Sequence, residues 1–335
     1  MTSGALQAEL KEIVYGFCLS QCVHVAATLG IADCLKDGPK TCAELAGLTG
    51  SHPAALCRLL RALASIGIFS EDEDGCFMLT PLADLLRTDN QESMHAEVLH
   101  FLHPSCWAPW GQLLHSVKTG EAAFSMIFGK DVWEYRARHP EIRSIFDAMN
   151  SAKSKHERNV VLQHLDFSNV DLIVDVGGGK GELMTEILSQ QTRLHGVLFD
   201  LPHVLAGVGS LLREAGVEDR CQMKSGDFFH EVPKGGDMYL LKAIIHNWNN
   251  EEAIAILRNC RQAMSSRARI VLIETVLDPE KPNPGNIMDL HMLVINGGQE
   301  RTPAEFGALL DASGFRLRNI LKTAAGISLI EGIPT

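Results

Sequence analysis

The chain has no uninterrupted apolar stretch of about 18 residues, the length a membrane-crossing helix needs, and it has no low-complexity tract. Its first ten residues, Met1-Thr-Ser-Gly-Ala-Leu-Gln-Ala-Glu-Leu10, lack a basic region followed by an apolar core. No secretion signal is therefore expected, and the chain is placed in the cytoplasm. Cations are short as well: 30 Lys and Arg against 41 Asp and Glu leave a net charge of −11. That is the wrong sign for a protein whose affinity would come from neutralising phosphates, so no nucleic-acid partner is expected. The nine cysteines include no C-x-x-C pair and no histidine set at zinc spacing, which excludes the common structural zinc sites and leaves reduced core thiols. What remains is a folded chain of 335 residues, 46% hydrophobic, long enough for two domains.

One short stretch organises the rest. Leu172 to Val176 is an apolar run too short for a helix, the pattern of a strand buried on both faces. Gly177, Gly178, Gly179 and Gly181 follow and let the backbone approach a ligand. From Glu182 the apolar residues Leu183, Met184, Ile187 and Leu188 recur at helical spacing. A dinucleotide fingerprint would need a third glycine where Glu182 stands, and a phosphate loop would need Gly-Lys-Ser/Thr, which is absent. The pattern that is present, Asp175-x-Gly177-x-Gly179-x-Gly181, suits a cofactor carrying ribose and an amino acid but no phosphate.

N-terminal to this, apolar residues at helical spacing run from Leu6 to Leu35. Thr41-x-x-Glu44 reads as a capping box, and Ser51 as the cap of a helix with Leu56, Leu60 and Leu63 in its core stripe. An acidic turn, Phe69-Ser-Glu-Asp-Glu-Asp-Gly75, joins two short strands, and Thr80-Pro81 starts another helix. This is a winged-helix outline, whose usual partner is DNA. Its second helix offers only Arg58 and Arg61, and its wing is acidic, which favours a protein partner. Helical patterning continues from Asp89 to Asp166. There Trp107 and Trp110, with His95, His100 and His103, either pack structurally or wall a substrate pocket with Met149 and Asn150.

From Leu172 onward strands alternate with helices, which implies a parallel sheet covered on both faces. The strands read as Gly196–Asp200, Cys221–Lys224, Asp237–Ile245 and Arg269–Glu274. Single helices are expected over Pro202–Ala215 and from an Asn250 cap to Ala263, with a capping box at Thr302-Pro-Ala-Glu305. The tail reads as an antiparallel edge hairpin, Phe315–Lys322 with Ile327–Ile330. Asp200 ends one strand, where a carboxylate can accept ribose hydroxyls. Asp227 ends the next, with Phe228 beside it to face an adenine ring. Capping or turn formation is the structural alternative for both aspartates.

Five motifs then occur in order: Asp175-Val-Gly-Gly-Gly-Lys-Gly181, Phe199-Asp-Leu-Pro202, Gly226-Asp-Phe-Phe229, Leu241-Lys-Ala-Ile-Ile-His-Asn-Trp248 and Gly297-Gly-Gln-Glu-Arg-Thr302. Together they resemble the small-molecule O-methyltransferases of the caffeic acid and hydroxyindole type, over nearly the whole chain. The resemblance implies an α/β, Rossmann-like class I methyltransferase domain with a mostly parallel seven-stranded sheet at 96–335, its segment 96–165 shaping the acceptor pocket. It implies a helical, winged-helix-like dimerisation domain at 1–95 and a homodimer. The cofactor would be S-adenosylmethionine, leaving as S-adenosylhomocysteine, with no metal. Asp175, Gly177, Gly179, Asp200, Leu201, Gly226, Asp227, Phe228 and Lys242 would hold it. His246 would be the general base, with Glu300 orienting its ring and Glu274 flanking it. Met149, Asn150, Trp107, Met292 and Asn296 would line the pocket for a hydroxylated secondary metabolite. In one departure, Asn247 follows the base where the family commonly has aspartate. Two other readings are a member of this fold that performs a pericyclic or hydroxylation step, and a ligand-responsive DNA regulator.

Overall fold

The computed structural model describes residues 3–281 and 285–335, apart from the His156 side chain. The chain divides into two compact units, Met1–Ala108 with Arg136–Ala152, and Pro109–Tyr135 with Lys153–Thr335. In the first unit a long helix, Ser3–Thr28, leaves Leu10, Ile13, Val14 and Phe17 more than half exposed. The capping box at Thr41 forms, with Glu44 accepting from the Thr41 amide and the Thr41 hydroxyl accepting from the Glu44 amide. The next helix, Pro53–Ala64, is capped by His52 and not by Ser51. Proline at the first helical position holds the residue before it extended, so the cap falls on position 52. Leu56, Leu60 and Leu63 of this helix pack with Phe69 and Phe77. Those two rings belong to a small antiparallel sheet of β1 (Lys40–Thr41), β2 (Phe69–Glu71) and β3 (Cys76–Leu79), in the order β1-β3-β2.

The second unit is built on seven strands: β4 (Leu172–Val176), β5 (His195–Asp200), β6 (Cys221–Ser225), β7 (Met238–Lys242), β8 (Arg269–Glu274), β9 (Phe315–Lys322) and β10 (Ser328–Pro334). Their order is β6-β5-β4-β7-β8-β10-β9, parallel through β8. β10 runs antiparallel between β8 and β9, so only one strand of the C-terminal hairpin lies at the edge. Period-two alternation gives the sheet two apolar faces. Val174, Val176 and Leu241 pack with the helices Asn250–Ala263 and Pro303–Ala312. Ile173, Leu198 and Leu240 pack with Glu182–Gln190 and Val208–Glu214. Each fully buried aliphatic side chain in these layers contributes about 1.5–3 kcal/mol.

Three further local readings change. The helix expected over Pro202–Ala215 forms as two pieces, Pro202–Leu205 and Val208–Glu214, parted where Gly207 takes φ 88°. The helix Asn250–Ala263 is capped by Asn249, with Glu252 closing the box, which frees the Asn250 side chain for other partners. β7 stops at Lys242 because Ala243 takes φ 53°, and the chain passes into a single 3-10 turn, Ile245–Asn247. No helix among the described residues is long and apolar enough to cross a membrane.

Candidate active site

The carboxyl ends of the parallel strands, where the strand order reverses beside β4, bring the motif residues together. Gly177 follows β4 at φ 71°, and a Cβ there would meet Ile244 at 2.5 Å and Phe228 at 3.6 Å. Only glycine fits that turn, and the Phe228 ring stands beside it. Asp200, at the end of β5, accepts from the Gly179 amide at 2.8 Å and from the Leu201 amide at 2.7 Å. Gly226 donates to the Asp200 carbonyl at 3.1 Å, which ties the turn after β6 to the same strand end. Asp227 is engaged locally: one oxygen accepts from the Phe229 amide at 2.9 Å and the other lies 3.1 Å from His230 Nδ1.

Asp175 sits beneath the turn, 1% exposed. Its Oδ2 is buried without a partner among the described residues. Burial, with Asp200 nearby, pushes its pKa up to about 7 against the opposing pull of Lys242. A buried, partnerless carboxylate oxygen suits a cationic ligand. Lys242 pairs with Glu157 at 2.7 Å and donates to the Ser154 hydroxyl at 3.1 Å. Lys242, His246 and Glu274 line one small cavity with Lys153, Glu157 and Ile327.

His246 rides on the 3-10 turn, 2.8 Å through Nδ1 from Glu300 Oε1 and 3.7 Å from Glu274 Oε2. A carboxylate accepts, so in the neutral ring Nδ1 carries the proton and Nε2 keeps its lone pair. Glu274 Oε1 accepts from the amides of Ile244 and Ile245 at 3.0 and 2.7 Å, which fixes the turn to the end of β8. The Oε2 atoms of both glutamates are buried without a hydrogen-bond partner among the described residues. Burial opposes charge on the imidazole, but Glu274 and Glu300 outweigh it and raise the His246 pKa above its ordinary value. Burial also raises Glu274, with His246 pulling the other way. The three side chains could offer ligand atoms to a metal ion, since these lie within 4.8 Å of one another. The 2.8 Å contact between His246 and Glu300 is nevertheless a hydrogen bond, shorter than the roughly 3.3 Å that separates tetrahedral ligands about 2 Å from one ion.

Several residues that shape this site carry no local sequence signal. Arg301, 0% exposed, donates to the carbonyls of Ile245 and Trp248 at 3.0 and 2.9 Å and to Asn250 Oδ1. It clamps both sides of the turn that bears His246. A Cβ on Gly298 would meet the His246 carbonyl at 2.2 Å, so the two chain segments touch through backbone. Asp289 accepts from the Glu300 amide at 2.8 Å. Glu157 is the buried partner of Lys242. Arg301 and Gly298 lie inside the motif Gly297–Thr302, yet only the fold shows what they hold. Of the expected pocket residues, Met292 and Asn296 belong to the second unit with His246, with Met292 buried. Met149, Asn150 and Trp107 belong to the first.

The donor set fits S-adenosylmethionine. Three aspartates lie at or just past the carboxyl ends of successive strands, an aromatic ring stands beside the glycine turn, and the orphaned Asp175 oxygen suits a cation. Comparison with known proteins agrees. An O-methyltransferase domain matches residues 110–316 and an O-methyltransferase dimerisation domain matches residues 11–89. A phenazine O-methyltransferase of Lysobacter antibioticus is 43% identical over 98% of this chain and 96% of its own length. The solved structure of a mitomycin 7-O-methyltransferase superposes with TM-score 0.95 at 35% identity, covering 99% of this chain and 98% of that one. A solved O-methyltransferase from neocarzinostatin biosynthesis, in complex with S-adenosylmethionine and 2-hydroxy-5-methyl naphthoic acid, has TM-score 0.86 at 31% identity and covers 95% of this chain and 96% of that one. Other relatives are named for methylating nitrogen. The chain belongs to the O-methyltransferase family of secondary metabolism, joining a class I methyltransferase domain to a dimerisation domain, and it uses S-adenosylmethionine to methylate small molecules.

Proposed function

We propose that the chain methylates a hydroxyl oxygen, phenolic or enolic, of a small secondary metabolite, with His246 as the general base. The observation that carries this is the buried 2.8 Å contact from His246 Nδ1 to Glu300, which leaves Nε2 as the atom able to take a proton. When bound, S-adenosylmethionine supplies an electrophilic methyl carbon whose bond to sulfur breaks with the electron pair going to sulfur. The protein's part is to hold the acceptor oxygen in line with that carbon and to receive its proton. A phenol of pKa about 10 and a histidine near 6.5 differ by roughly 5 kcal/mol at 1.36 kcal/mol per unit. The raised pKa of His246 narrows that gap, and proton removal concurrent with C–O bond formation covers the rest.

Asp175, Gly177, Gly179, Asp200, Leu201, Gly226, Asp227, Phe228 and Lys242 are assigned to the cofactor. Asp200 would accept the ribose hydroxyls, and the Phe228 ring would face the adenine. Glu300 orients the base, Glu274 flanks it, and no metal takes part. Met292 and Asn296 are assigned to the acceptor pocket. Residues 1–95 form the dimerisation module and 96–335 the catalytic one. The exposed apolar side chains of the helix Ser3–Thr28, together with the dimerisation-domain match, support a homodimer. The cytoplasm is its compartment. His246→Ala is expected to lower methyl transfer about 100-fold or more while S-adenosylhomocysteine binding survives. Unchanged turnover would remove the base.

A further inference from the structure

Two lysines share one buried glutamate beside His246, and they are not equally satisfied. Glu157 is 4% exposed. Its Oε2 pairs with Lys242 at 2.7 Å, whereas its Oε1 stands 3.9 Å from Lys153. Lys242 also donates to the Ser154 hydroxyl. Lys153 has three N–H donors to place, yet it makes no hydrogen bond among the described residues, and its side chain is 45% exposed. The charges around it are Glu157 on its own helix, Pro140–His164, Lys242 at the end of β7, His246 on the 3-10 turn and Glu274 at the end of β8, and all four line one small cavity with it. After burial and the two glutamates, the Lys153 ammonium is the next influence on the His246 imidazole, and it opposes protonation there. A cation so placed works against a general base taken alone. It favours the reaction if an anion forms beside it, and proton removal from an acceptor hydroxyl makes one.

We propose that Lys153 is a further catalytic residue, its ammonium stabilising the negative charge that grows on the acceptor oxygen as His246 removes the proton. This rests on the reading of His246 as the base. In that step the acceptor O–H bond breaks with its proton going to His246 Nε2, the oxygen bonds to the methyl carbon, and the bond from that carbon to sulfur breaks with its electron pair going to sulfur. Lys153 keeps its own protons throughout and supplies charge alone. Its loose tie to Glu157 suits the role. A close pair such as Lys242 makes is largely neutralised before an acceptor arrives, whereas a cation 3.9 Å from a shared carboxylate keeps its donors and much of its field. The acidity gap between phenol and histidine then closes from both sides. Glu274 and Glu300 make the imidazole more basic, and Lys153 makes the bound hydroxyl more acidic.

The test uses the full-length protein saturated with S-adenosylhomocysteine and 4-nitrocatechol, a phenol whose visible absorption changes when it ionises. On the wild type the bound probe is expected to ionise at least about one pH unit below the free probe. In Lys153→Met the midpoint should move back up by about one pH unit, which is about tenfold in the ionisation constant, while Lys153→Arg keeps the charge and should hold it near the wild-type value. In parallel single turnovers with S-adenosylmethionine, methyl transfer to catechol should fall about tenfold or more in Lys153→Met and less than about threefold in Lys153→Arg. S-adenosylhomocysteine affinity and Tm should hold in both variants. A merely structural defect weakens probe binding without moving its midpoint. A midpoint unmoved in Lys153→Met overturns the proposal. So does a loss of S-adenosylhomocysteine affinity in place of that movement, which would give the ammonium to the carboxylate of the cofactor. Failure of the base assignment is distinguishable, since it appears as retained turnover in His246→Ala whatever the Lys153 variants do.

Discussion

Replacing Asp175 with asparagine isolates what it costs to keep a carboxylate beneath the glycine turn. The side chain is 1% exposed with Oδ2 unpartnered, and its pKa is pushed up to about 7. In the unfolded chain the same group titrates near 3.9. Because the folded value is the higher one, this group's contribution to stability is complete below about pH 4 and is lost as the pH rises through about 7. A gap of about three units at 1.36 kcal/mol each amounts to something on the order of 4 kcal/mol. Asparagine does not titrate, so the variant escapes the loss. Guanidinium unfolding of both proteins at about pH 4 and about pH 8 should show their stability difference moving toward the variant by on the order of 4 kcal/mol. Cofactor binding should weaken in the same variant, because the buried anion is gone. A stability difference that stays constant with pH would refute the reasoning.

Glu300→Gln keeps the size of the side chain but removes the charge that favours the imidazolium. The acid limb of kcat/KM, expected above the ordinary histidine value of about 6.5 in the wild type, should move to lower pH while turnover falls about tenfold or more. Arg301→Met removes a buried cation that holds both sides of the turn bearing His246 and leaves Glu274 and Glu300 less compensated. Denaturant unfolding should register a loss of about 3 kcal/mol or more. Ile13→Asp combined with Phe17→Asp places charge on the exposed stripe of the helix Ser3–Thr28, and light scattering should report a dimer for the wild type and monomers for the variant.

Much of this architecture was legible because local rules agree with it. The run Leu172–Val176, apolar but for Asp175, is too short for a helix and reads as an interior strand. Glycines follow it where the chain must turn under a neighbouring side chain. The capping boxes at Thr41 and Thr302 form as read, since each needs only residues three apart. Ser51 and Asn250 missed by one residue for the same local reason: the cap belongs to whichever residue the helix start leaves extended. β7 looked longer than it is because Ala243, Ile244 and Ile245 are apolar, and nothing in an alanine announces φ 53°. In the site, His246, Glu274 and Glu300 do meet, although 28 and 26 residues separate them in sequence. The family resemblance carried that reading, with His246 and Glu300 inside its motifs and Glu274 outside them. The positions of Arg301, Glu157 and Asp289 depend on contacts between distant segments, which no spacing rule encodes. Asn247 shows the same limit, since its departure from the family pattern was visible while its hydrogen bond to Asn296 was not.

The central claim is that His246 takes the proton of the acceptor hydroxyl. Single-turnover methyl transfer by His246→Ala, with the bound cofactor quantified in parallel, tests it most directly. The account predicts a transfer rate lower by about 100-fold or more with S-adenosylhomocysteine affinity unchanged within about threefold. A rate within about tenfold of the wild type at full cofactor occupancy would contradict it.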